Sequence, residues 1–149
     1  MTRRENSVVE VRKSEDPVIR AIDDARALAH TKNLPEGVAS RVVPGFCRTA
    51  LEATFIRMVR ARRLAKGIPH ADIEDDLQIA DRLTKLGALA LFDDVERGGD
   101  VMSTLNSRFG HRAGDAFKRS NKGAHVSDSG PLDLLVTDTE DLCDKLLRT

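Results

Sequence analysis

In this chain of 149 residues, the stretch whose residue types and spacing best suit chemistry is 117–125, Phe-Lys-Arg-Ser-Asn-Lys-Gly-Ala-His. Arg119 and His125 stand six positions apart, with polar Asn121 between them. An imidazole titrates near neutral pH, so it can take and return a proton. A guanidinium stays protonated and can offset charge growing on phosphorus oxygens. Converging on one phosphodiester, the two would cleave RNA through its own 2′-hydroxyl without a metal. On a continuous helix a six-residue step is about 600°, leaving the pair about 120° apart around the axis. Gly123 would have to loosen or end the helix for His125 to swing toward Arg119. The same Asn-Lys-Gly run is also an ordinary way to end a helix, with His125 capping or packing on the next loop. Spacing alone leaves both readings open.

Other candidates carry less. Arg57, Arg60, Arg62, Arg63 and Lys66 form a basic run with no acidic residue inside it. It could bind phosphates. The simpler reading is that cations suit the C-terminal end of a helix, where an acidic helix start lies beside them. His70 and Glu74 have helical ligand spacing, but no second His follows, so a solvated helix start is the better account than a metal site. His30 and His111 fall near helix boundaries. There is no GxxxxGK(S/T) loop, no GxSxG and no HExxH, which removes most common nucleotide-binding and hydrolase assignments. No cofactor is expected.

Composition narrows the classes further. The only aromatic residues are five Phe, which argues against base stacking on an aromatic platform. Twenty-four basic residues balance 24 acidic ones, so bulk charge does not favour a duplex-DNA binder. Cys47 and Cys143 form no CxxC pair and read as reduced thiols of a cytoplasmic protein. Cys47 falls in an apolar helical pattern and is expected in the core. The opening MTRRENSVVEVRK lacks the apolar heart of a signal peptide, and no run approaches the roughly 18 apolar residues of a span. The expectation is a chain with no membrane segment.

The elements that must position these residues are helical. Residues 1–16 read as a flexible or extended arm, and 17–149 as a single helical domain. Asp16-Pro17 starts a first helix over 17–30. Pro44 opens a second over 44–65, closed by Gly67 and Pro69. A third covers 70–92 and should lie antiparallel to the second, because the connection is short. Asp100 caps a short helix to Phe109, and another follows over 111–125. After a turn-rich break at 126–131 the last helix runs over 138–147, with Thr137 and Glu140 as its capping box. Apolar residues recur at three and four throughout, with no convincing alternating strand. The class is all-α, an irregular bundle of four to six helices.

One resemblance joins site and scaffold. Arg48-x-Ala50-Leu51-Glu52 in one long helix is followed by Arg119-x-Asn121-x-Gly123-x-His125 and a closing helix. This pattern resembles the HEPN superfamily over roughly residues 44–147. These are small helical domains whose signature is an Arg, a polar residue and a His, with four to six residues between Arg and His. Here Ser120 directly follows the Arg, where the family often has the polar residue; Asn121 comes one later. The resemblance implies a metal-independent endoribonuclease, as in toxin or phage-defence systems, working as a homodimer with a shared cleft. It implies catalytic roles for Arg119 and His125, an orienting role for Asn121, and Glu52 as the carboxylate that positions Arg119. Some HEPN-like domains serve as binding modules instead. The segment from Val43 to His125 is also similar to the C-terminal part of bacterial RecF- or SMC-type ATPases, which implies a non-catalytic helical domain that meets a protein partner such as an ATPase.

Overall fold

Several helices begin or end at a capping side chain, a glycine or a proline, and the computed structural model describes residues 16–35, 37–123 and 130–149. Helix α1 spans Pro17–Ala29. The Asp16 carboxylate accepts from the amides of Val18 at 2.9 Å and Ile19 at 3.3 Å, and Pro17 takes the first turn. Helix α2 spans Val38–Ala65 and holds Pro44 inside it. The expected start at Pro44 was therefore too late: Pro44 lies past the first turn, gives up the amide bond to the Ser40 carbonyl, and the helix runs on through it. At its far end Gly67 has φ of 77°. The Gly67 amide donates to Leu64 O and the Ile68 amide to Arg63 O, a Schellman ending.

The third expected helix is two. Helix α3 spans His70–Ile79 and α4 spans Leu83–Phe92. Ala80 leaves helical geometry with ψ of 66°. The break has a physical use: α3 buries only Ile73, whereas α4 buries Leu83 and every residue from Leu86 to Leu91. A helix apolar all round belongs in the interior, and the kink turns it there. A 3-10 turn over Val95–Asp100 leads into α5, Val101–Phe109. Gly110 ends α5 at φ of 97°, and α6 follows over His111–Gly123. The last helix, α7, spans Leu132–Arg148. It starts well before residue 138, so Thr137 and Glu140 are not a capping box. Glu140 instead pairs with Arg26 of α1 at 3.0 Å.

Among the described residues every regular element is helical, with seven α-helices rather than four to six. Helix α2 is the axis, packing against α1, α4, α6 and α7. Phe55 of α2 meets Phe117 of α6 edge to face, with ring centroids 6.4 Å apart. Gly87 of α4 allows a close approach: a Cβ there would stand 3.3 Å from the Phe55 ring and 3.1 Å from Val101. The contacts of α4 with α2 ascend together, Gly87 with Phe55 and Ala90 with Arg62. The break at Ala80–Arg82 thus gives α4 the same sense as α2, where an antiparallel hairpin was expected. No helix among the described residues is long and apolar enough to cross a membrane.

Candidate functional site

Helix α6 carries Arg119 and Asn121 in its last turns. Ala113, Ala116, Phe117 and Ser120 face the interior, which leaves Arg119 half-buried at the edge of the α6–α7 contact. Two residues on a helix differ by about 200°, so Asn121 does not share the face of Arg119. His125 lies outside the described residues, as does the rest of 124–129. The Arg119 Nη2 donates to the Pro131 carbonyl at 3.1 Å, linking the end of α6 to the cap of α7. That cap is the positive end of the helix dipole, which repels rather than neutralises a cation.

Arg112, Asp115 and Arg119 follow one another at steps of three and four along α6, and Asp138 of α7 feels all three. Burial raises the Asp138 carboxyl above its ordinary value, and the charges of Asp141 and Asp115 push the same way. Arg112 and Arg119 pull it down without overcoming them. Asp138 is thus a carboxylate within electrostatic reach of Arg119. Glu52, expected in that place, lies on α2 and is bound by Arg48 at 3.1 Å, one turn earlier. It lines a surface groove with Pro17, Ile56 and Arg60. Glu52 is joined to Arg48. Asp138 was missed because its helix was expected to start only there, and because nothing in local spacing reveals a carboxylate within electrostatic reach of an Arg nineteen positions earlier.

The basic run is engaged within the molecule. Arg57 pairs with Asp16 at 2.9 Å and Arg60 with Glu74 at 2.8 Å. Arg62 donates to the Ala90 carbonyl at 2.6 Å. Arg63, only 12% exposed, pairs with Asp76 and with Asp93, the latter at 2.6 Å. Lys66 lies 3.9 Å from Asp93. These cations hold α1, α3 and α4 to α2, which favours charge complementarity over a phosphate site.

His70 has Glu74 as its neighbour at 3.7 Å. Among the described residues no group of three or more His, Cys, Asp or Glu side chains could hold a metal ion. Cys47 and Cys143 are buried, and burial pushes the Cys143 thiol up to about 12, with little thiolate to act as a nucleophile. No protein-family model, curated protein or solved structure matches this chain.

Proposed function

We propose that this chain is a HEPN-like, metal-independent endoribonuclease of a toxin or phage-defence system, with Arg119 and His125 as its catalytic pair. The observation that carries the reading is the seat of Arg119. Its guanidinium reaches from α6 to the Pro131 carbonyl, so it ties together the two flanks of the segment that holds His125. In the reaction, an imidazole removes the proton of the RNA 2′-hydroxyl. The 2′-oxygen bonds to phosphorus, and Arg119 donates hydrogen bonds to the non-bridging oxygens as charge builds there. The bond from phosphorus to the 5′-oxygen then breaks, and an imidazolium returns a proton to that oxygen. The products are a 2′,3′-cyclic phosphate and a 5′-hydroxyl. In a homodimer, two copies of His125 would divide the base and acid roles.

The test is incubation of the pure protein with mixed RNA and with DNA of the same sequences, in chelator. Cleavage of RNA alone, lost in His125→Ala and Arg119→Ala, is the expected outcome. An intact RNA panel with folded protein defeats the enzyme reading.

A second reading, a non-catalytic domain that binds a protein partner such as an ATPase, is favoured by a different observation. Each cation of the basic run is turned to a carboxylate or carbonyl of this chain, while Leu64 and Ile79 are 54% and 61% exposed. Under that reading His125→Ala changes nothing, and Leu64→Asp or Ile79→Asp abolishes partner capture.

A further inference from the structure

The guanidinium of Arg119 lies against the backbone at Gly130. A Cβ at that position would stand 2.5 Å from Nη2, 2.7 Å from Cζ and 3.1 Å from Nε. The plane of the guanidinium therefore fills the space that any side chain at 130 would take. Gly130 is not among the positive-φ residues of the described segments, which are Asn33, Asp93, Gly37, Gly67 and Gly110. A side chain at 130 would thus meet the end of the Arg119 side chain, which would have to shift to admit it. The acceptor is fixed as well. Pro131 caps α7 with φ of −63°, and its carbonyl also accepts the Leu135 amide at 3.2 Å, so the helix sets its direction.

We infer that Gly130 and Pro131 form a positioning seat that holds the Arg119 guanidinium in one orientation before substrate arrives. A long, rotamer-rich side chain held in advance loses less freedom when it meets the phosphate. Its catalytic consequence rests on the ribonuclease reading above; the seat itself does not. Neither Gly130 nor Pro131 need touch the reacting atoms.

The test is a double-mutant cycle of Gly130→Ala and Arg119→Ala in the full chain. Gly130→Ala should lower kcat about 10- to 100-fold, with KM and the pH profile unchanged, because a displaced Arg119 fails chiefly in the transition state. In the Arg119→Ala background the same change should have no further effect. The cycle also cancels the effect of glycine replacement on the unfolded chain. A second readout needs no activity: the Nε–H signal of Arg119 in NMR, assigned by its loss in Arg119→Ala, should shift and exchange faster in Gly130→Ala. If Gly130→Ala cuts RNA like the parent, or costs the same with and without Arg119, the seat is overturned while the ribonuclease reading stands. If the parent cuts no RNA, the ribonuclease reading falls and the NMR signal decides the seat, an unchanged signal overturning it. Should Gly130→Ala fail to fold, the double variant should fold, since the guanidinium is gone; if it does not, the space serves something other than Arg119 and the seat is overturned.

Discussion

Asp16 and Asp138 are two carboxylates whose environments act in opposite directions. At Asp16 burial works against the charge, but the Ile19 and Val18 amides and the Arg57 guanidinium outweigh it and hold the carboxyl below its ordinary value. A lowered folded-state pKa stabilises the fold fully above the unfolded value of about 3.9 and loses that contribution as pH falls through the folded one. Asp16→Ala should cost about 1 kcal/mol at neutral pH, the usual worth of an N-cap. The gap from the parent should shrink below pH ~4, as read by urea unfolding; a gap independent of pH would show that the charge is idle. Asp138 has the opposite sign. Its raised carboxyl means that the folded state prefers the proton, so ionisation at neutral pH weakens the fold and acidification strengthens it. Asp138→Asn should therefore leave stability at pH 7 unchanged or higher. A clear loss would mean that the carboxylate's attraction to Arg112 and Arg119 outweighs burial after all.

At the scale of elements the basic end of α2 acts as a clamp. Arg63 reaches Asp76 near the end of α3 and Asp93 at the cap of α4. Its Nε is buried without a partner, the sole unsatisfied nitrogen among the described buried side chains. An exposed ion pair contributes only roughly 0.2–1 kcal/mol. Arg63 and Arg60 differ in this respect. Arg63 is mostly buried and makes two charged hydrogen bonds, so Arg63→Ala should cost about 2 kcal/mol. Arg60→Ala, which breaks a pair with a half-exposed Arg, should cost less than about 1 kcal/mol. Equal losses in chemical denaturation would contradict the clamp. The basic run was legible in the sequence, and so was the acidic start of the next helix. Which cation meets which carboxylate was not, because the break at Ala80–Arg82 decides where Asp93 arrives.

For the molecule as a whole, α2, α4 and α5 meet at a close contact. Gly87 faces Phe55 and Val101 there, and both are wholly buried. Gly87→Val should cost about 1–3 kcal/mol through overpacking, despite the gain in helix propensity from removing glycine. Thermal melting checks it, and an unchanged or raised midpoint would show that the core can yield. Association is the other property of the whole molecule. The shared-cleft mechanism expects a homodimer, so light scattering at micromolar concentration should report twice the chain mass of 16.4 kDa. A monomer at all concentrations would leave a single imidazole to serve as base and acid in turn, and the two-histidine mechanism would fail.

The sequence by itself determined the helical class, because apolar spacing of three and four is a local property that any window of chain displays. It also determined where α1 begins, at Asp16-Pro17, and where α2 ends, at Gly67, since caps and left-handed residues act over a single turn. It marked Arg119 and Asn121 as residues to watch. Only the tertiary structure decided the rest. It split the helix expected over 70–92, because an all-apolar α4 must enter the interior while α3 stays at the surface. It began α7 at Leu132 and gave Glu140 to Arg26 rather than to a cap. It gave Glu52 to Arg48, set Gly130 and Pro131 against Arg119, and brought Asp138 within electrostatic reach of it. Those partnerships depend on which helix ends meet in space, and sequence spacing along one helix holds no record of that.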